Sequence, residues 1–189
     1  MNRVPQIVLI LSTGLGSWLG MQAVHELGHV LGARLTGGRV ERVVLFPLTI
    51  SRTDLAENPR PLAVAWAGPM FGAICPLIAW LIATACRMPS AFVLRFFAGF
   101  CLLANGLYIG CGSFAAVGDC GDLLRSGASI WQLWLFGMVA APAGLGLWNG
   151  LGPRFGLGKA NGFVEKRVAI GVLVAFVALV ALALVVGGQ

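Results

Sequence analysis

Long uninterrupted runs of apolar residues, separated by short charged connections, dominate the pattern of this chain. The charge-free runs cover residues 4–24, 61–86, 96–118, 126–153 and 168–189. Each is at least as long as the roughly 20 residues that a helix needs to cross the ~30 Å hydrocarbon core of a bilayer. The alternation of apolar and polar residues that is typical of a membrane β-barrel is absent. The pattern therefore predicts an all-α membrane protein, a polytopic helical bundle of about five transmembrane helices.

The composition agrees with this prediction and restricts the partners. Of the 189 residues, 58% are hydrophobic and 11% are charged, whereas soluble domains contain roughly 25% charged residues. The formal net charge is +6, but the basic residues lie in the connections between apolar runs, where they would face lipid headgroups. We therefore expect the lipid bilayer as a partner and no nucleic acid.

The longest polar connection follows the first apolar run, from about residue 36 to residue 60. Its segment Val40–Phe46 is rich in β-branched residues and partly alternating, which predicts a short strand or hairpin after the first span. This segment could be an edge that pairs with an extended substrate; the favoured alternative is a strand that packs only on its own hairpin. Residues 1–189 are expected to form a single integral-membrane domain.

Both histidines of the chain lie in one short stretch after the first apolar run, HELGH. In a helix, His25 and His29 share one face because residues four apart are neighbours, so their imidazoles can bind one metal ion. Glu26 lies beside that face, where it can reach a water molecule on the metal as general base. Ionisable groups at membrane depth are costly and indicate function by default. The alternative is a pair of buried histidines that only hydrogen-bond across the bundle.

A catalytic zinc site needs a third protein ligand beside an open position. No third histidine exists, so this ligand must be a carboxylate or a thiolate. Because alternate spans return to the same side of the membrane, Asp119 and Asp122 after the third run are expected at about the depth of His29, with the Cys120 thiol beside them. The remaining acids lie in the polar loop or on the opposite side: Glu41, Asp54, Glu57 and Glu165. The residues alone leave both Asp119 and Asp122 as candidates.

Together these features resemble the site-2 protease family of intramembrane zinc metalloproteases. The resemblance rests on HELGH, on AWAGPMFG around Gly68 in the second span, and on NGLYIGCGSFAAVGDCGDLL, which begins at Asn105. It covers about residues 15–128, which would form a three-helix metalloprotease core. Additional transmembrane helices would follow at about residues 129–151 and 167–187.

The resemblance implies a Zn²⁺ cofactor bound by His25, His29 and Asp119, with Glu26 as the catalytic residue. It implies a membrane-protein substrate that is cut in or near a transmembrane segment, and a multi-pass protein of the cell membrane whose metal site lies nearer the cytoplasm. Asn105 is a further candidate, either as a substrate contact or as a residue that ties two helices together.

A different assignment of the two aspartates stays open, in which Asp122 is the third ligand and Asp119 orients a histidine. The chain also departs from the family pattern, since Tyr108 stands where the family has a proline and Cys120 separates Asp119 from Gly121. These departures concern substrate handling more than metal binding.

Two alternatives to a protease remain: a catalytically inactive relative that binds membrane proteins, and a membrane carrier of metal or haem. An accessory membrane protein that gates access is a further partner compatible with the sequence.

Overall fold

The computed structural model describes residues 3–45 and 51–187. Five helices within these residues are long and apolar enough to cross a membrane. A sixth and much shorter helix, α4, lies between the third and the fourth of them. The six helices are α1 (Val4–Leu35), α2 (Pro61–Ala85), α3 (Ala91–Gly112), α4 (Asp119–Arg125), α5 (Ile130–Trp148) and α6 (Lys166–Gly187). The prediction of a multi-pass helical membrane protein is confirmed.

A two-stranded antiparallel hairpin follows α1 and consists of β1 (Arg39–Val44) and β2 (Arg52–Glu57). The predicted strand after the first span is therefore confirmed, although Phe46 at the end of the predicted segment lies outside the described residues. β1 pairs with β2 and also contacts α1 and α6. The hairpin thus lies over the end of α1 that carries the histidines.

The first three spanning helices form the centre of the bundle, with α5 packed along α3 and α6 packed along α1. Glycines permit a close approach of α1 to α2. A Cβ atom at Gly28 would lie 2.5 Å from the carbonyl oxygen of Ala67, and one at Gly32 would lie 2.5 Å from the Ala67 Cβ. Small residues at helix interfaces allow this kind of backbone contact in lipid. The side chains of α1 are thereby brought directly against the backbone of α2.

The third span differs from the sequence prediction, because α3 ends at Gly112 and the chain turns before Asp119 begins α4. Gly118 closes this turn with φ +56°, a conformation that L side chains rarely adopt. A Cβ atom at Gly118 would also collide with the Tyr108 hydroxyl. Leu123, fully buried beside Ile109, anchors α4 in the core. Because the sequence stays apolar through residue 118, its pattern did not predict this turn. The turn places Asp119 at the N-terminus of α4.

The opposite end of the bundle is closed by the connection between α5 and α6. This connection contains two short 3₁₀ turns, Gly152–Phe155 and Gly158–Ala160. The Gln6 Nε2 atom at the start of α1 donates to the carbonyl oxygens of Phe155 and Gly156 at 3.1 and 2.9 Å. The hairpin and the two histidines thus lie at the other end of α1 from this connection.

Candidate metal centre

The two histidines of α1 and the first residue of α4 converge on one point. The distance from His25 Nε2 to Asp119 Oδ2 is 2.7 Å, and that from His29 Nε2 to the same oxygen is 3.4 Å. The two Nε2 atoms are 3.1 Å apart. Both histidines are at least 92% buried, since their exposed fractions are 6% and 8%. Residues that are 94 positions apart in the chain therefore form one compact cluster of ligand atoms.

The Nδ1 atom of each imidazole, which points away from the cluster, has a hydrogen-bond acceptor that fixes the orientation of the ring. His29 Nδ1 donates to the Val64 carbonyl oxygen at 2.9 Å, and His25 Nδ1 donates to the Asn105 Oδ1 at 2.7 Å. The Asn105 amide cannot be reversed without loss of a contact, because its Nδ2 donates to the Cys101 carbonyl oxygen at 2.8 Å. With a proton on each Nδ1, both Nε2 atoms of the neutral rings present lone pairs to the cluster.

These contacts meet the requirements of a zinc site. Two imidazole nitrogens and one carboxylate oxygen face each other at 2.7–3.4 Å, an arrangement that a shared cation between them would satisfy. Ligand atoms at the usual zinc distances of about 2.0–2.1 Å in tetrahedral geometry stand roughly 3.3 Å apart. The Nδ1 acceptors are the outer partners that metal-binding histidines ordinarily have. The residues present therefore fit zinc.

The Asp119 carboxyl is suited to bind a cation. Burial raises its pKa, but when the two imidazoles also carry a proton on Nε2, their hydrogen bonds and charges outweigh this effect and hold the pKa of Asp119 well below its ordinary value. A metal cation in the place of those protons would act on the carboxyl in the same direction. Its backbone N–H donates to the Tyr108 hydroxyl oxygen at 3.1 Å. The first residue of α4 is thereby tied to α3, and its side chain is directed at the histidines.

Glu26 lies next to the cluster and is also buried, with 6% of its surface exposed. Its Oε2 accepts a hydrogen bond of 2.7 Å from the Thr53 hydroxyl of β2. The Glu26 carboxylate is therefore held by α1 through its own backbone and by the hairpin through this hydrogen bond. This places a buried and oriented acid beside the three candidate ligands.

The other predicted candidates have different surroundings. Asp122 pairs with Arg125 at 2.6 Å and is 59% exposed at its side chain. Cys120 is buried, and its thiol donates to the Tyr108 carbonyl oxygen at 3.3 Å. Burial, followed by the charge of Asp119, raises the pKa of the Cys120 thiol to about 11. In this structure neither residue joins the cluster.

The acids of the hairpin also have partners of their own. Asp54 pairs with both Arg42 and Arg52 at 3.1 Å. Glu57 lies 3.5 Å from Arg39. These carboxylates neutralise the charges of neighbouring arginines in the hairpin and are not part of the cluster.

Two glycines of α2 make room for the site. A Cβ atom at Gly68 would collide with the His29 imidazole, and one at Gly72 would lie 2.9 Å from the Asn105 Nδ2. The AWAGPMFG stretch that the sequence singled out therefore lies against one histidine and against the partner of the other. Its small residues let α2 approach without displacing either side chain.

A cavity of about 740 Å³ opens onto the cluster. Residues of α1, α2, α3, α4 and the hairpin line it, and Glu26, Thr53 and Tyr108 are among them. Sequence reasoning did not identify Thr53 as a partner of Glu26 or Val64 as a partner of His29. Neither residue carries a local motif, because each acts through one contact with a distant part of the chain.

Comparison with known proteins gives one family. The family model described as Peptidase M50B-like matches residues 8–110. The match includes HELGH and Asn105 and ends before Asp119. No curated protein and no solved structure matches the chain.

Proposed function

We propose that this chain, which belongs to the Peptidase M50B-like family, is a zinc-dependent intramembrane endopeptidase. The observation that carries the proposal is the convergence of His25 Nε2, His29 Nε2 and Asp119 Oδ2, with both Nδ1 atoms already occupied as donors. In two histidines that only hydrogen-bonded across the bundle, the Nδ1 contacts would already satisfy the single N–H of each neutral ring, whereas here a carboxylate also faces both Nε2 atoms.

The proposed ligands are His25, His29 and Asp119. Bound there, zinc would polarise the attacking water and the carbonyl of the substrate. Asn105 and the Val64 carbonyl keep the two imidazoles in the tautomer that presents Nε2. In this proposal Asn105 orients a ligand rather than holding substrate.

Glu26 is the proposed general base and acid. It accepts a proton as the water oxygen forms a bond to the carbonyl carbon, and it returns a proton to the amide nitrogen as the C–N bond breaks. The Thr53 hydroxyl fixes one oxygen of the carboxylate throughout. Glu26 is 94% buried and lines the cavity, so its carboxylate faces the space in which the attacking water would lie.

The position of the cavity supports a substrate that comes from the membrane. The cavity lies among spanning helices, below a hairpin. A helical segment hides its carbonyl groups in backbone hydrogen bonds and must unwind locally before attack. The proposed substrate is therefore an apolar membrane segment that becomes extended at the site of cleavage.

The test uses a pool of synthetic transmembrane peptides, each of about 25 residues, incubated in detergent with the zinc-loaded protein and read by mass spectrometry. The wild type is expected to cut a subset of the pool at defined bonds. Glu26→Gln is expected to bind zinc as the wild type does and to cut none of them. An inactive relative or a metal carrier would cut no peptide in either form, and cleavage that survives in Glu26→Gln would exclude Glu26 as the base.

A further inference from the structure

One polar side chain of α1 beside the site has a defined orientation and an unused donor group. Gln22 precedes His25 by three residues and Glu26 by four, so it lies on the same face of the helix. It is 94% buried, with 6% of its surface exposed. Its Oε1 accepts two hydrogen bonds from Ser51, one from the backbone N–H and one from the hydroxyl, each of 2.9 Å.

These two contacts identify which atom of the Gln22 amide is the oxygen and which is the nitrogen. A reversed amide would place its NH₂ group against the Ser51 backbone N–H, and two donors would then face each other. The amino group therefore points away from Ser51. The buried Gln22 Nε2 has no acceptor among residues 3–45 and 51–187. Buried donors in proteins are almost always paired, so an unpaired one calls for a partner from outside the described chain.

The surroundings of Gln22 indicate what this partner is. Gln22 lines the same cavity as the candidate zinc ligands, together with Trp18 and Met21 of α1. An unwound membrane segment brings backbone carbonyl groups into this cavity without their helical partners. An uncharged N–H donor at membrane depth suits such a carbonyl group, because the contact buries no net charge.

We propose that the Gln22 amino group donates a hydrogen bond to a backbone carbonyl of the extended substrate segment and so positions the scissile bond. This inference rests on the proposed function. Along the helix axis Gln22 lies about 4.5 Å from His25, on the side of the membrane centre. An extended chain advances about 3.3 Å per residue. The cluster lies between His25 and His29, about 7.5 Å from Gln22 along the axis, so the contacted carbonyl is expected about two or three residues beyond the scissile bond, towards the membrane centre.

The experiment measures KM and kcat for the best-cleaved peptide of the synthetic pool. Gln22→Met keeps the length of the side chain and removes the donor, and Gln22→Glu removes the donor while it keeps the acceptor for Ser51. Thr13→Val is the matched control, because the Thr13 hydroxyl is likewise buried on α1 and without a partner among the described residues, but it does not line the cavity. Zinc content and Tm are measured for every variant.

Both Gln22 variants are expected to raise KM about five- to tenfold, as for one lost hydrogen bond, with zinc content unaltered. The kcat is expected to stay nearly unchanged in Gln22→Met, whereas the added carboxylate of Gln22→Glu, one turn from Glu26, is expected to lower it. Thr13→Val is expected to leave KM at the wild-type value. In a peptide whose contacted carbonyl is replaced by an alkene, the effect of Gln22→Met is expected to disappear.

Other outcomes overturn the inference. If Gln22 only anchors the hairpin, Gln22→Glu will keep the wild-type KM, because it still accepts from Ser51. If every alkene-substituted peptide shows the full effect of Gln22→Met, no single carbonyl is the partner. If the wild type cleaves but the Gln22 variants have unchanged KM, this inference fails while the proposed function stands. If the wild type cleaves no peptide at all, the proposed function fails and this inference falls with it.

Discussion

A methyl group added at Gly68 tests how closely the second helix supports the metal centre. The Cβ atom of Gly68→Ala would lie 2.5 Å from Cε1 and 2.7 Å from Cδ2 of His29, whereas carbon atoms in contact normally stand about 3.5–4.0 Å apart. The imidazole must therefore move by roughly 1 Å, or α2 must move by the same amount. Zinc ligands tolerate deviations of only about 0.2 Å. The variant should lose one ligand of three.

The expected result for Gly68→Ala is a zinc content well below that of the wild type and a rate of peptide cleavage at least about 100-fold lower. The overpacking itself should cost about 1–3 kcal/mol of stability, read as a lower Tm. Gly14→Ala is the matched control on α1, since a Cβ atom there meets nothing within 4 Å. The reasoning is refuted if Gly68→Ala keeps a full complement of zinc and cleaves at the wild-type rate.

The other contacts of the centre give three further predictions. Asn105→Leu removes the acceptor of His25 Nδ1 and should weaken zinc affinity about 10- to 100-fold in a competition assay with a chelator; unchanged affinity would show that the ring needs no such support. Thr53→Val removes the hydroxyl that orients Glu26 and should lower kcat about tenfold at unchanged zinc content, whereas Thr53→Ser should retain most activity. Tyr108→Phe removes the acceptor of the first backbone N–H of α4 and should weaken zinc affinity about tenfold, and an affinity equal to the wild type would contradict that role.

The length of the apolar runs and the helical repeat of the sequence predict the spans and the face of α1 that carries the site. The apolar runs predicted five spans, and the spacing of His25 and His29 predicted their common face on α1. The alternation of spans also brought Asp119 and Asp122 to the correct end of the bundle. These inferences succeed because they depend on local patterns, namely hydrophobic length and the helical repeat.

The remaining features depend on contacts between distant residues, for which a single sequence carries no periodic signal. The turn at Gly118 separates Asp119 from α3, and only the structure distinguishes the surroundings of Asp119 from those of Asp122. Thr53 lies 27 residues from the Glu26 that it contacts. Gln22 resembles any polar residue on an apolar helix until its amide is seen to be fixed by Ser51.

The central claim is that His25, His29 and Asp119 bind one zinc ion, and the most direct measurement is the metal content of the detergent-purified protein. The wild type and Asp122→Ala are expected to contain about one zinc per chain, while His25→Ala and Asp119→Ala are expected to contain almost none. A wild type that binds neither zinc nor another divalent metal would contradict the account. Loss of zinc in Asp122→Ala but not in Asp119→Ala would contradict the ligand assignment.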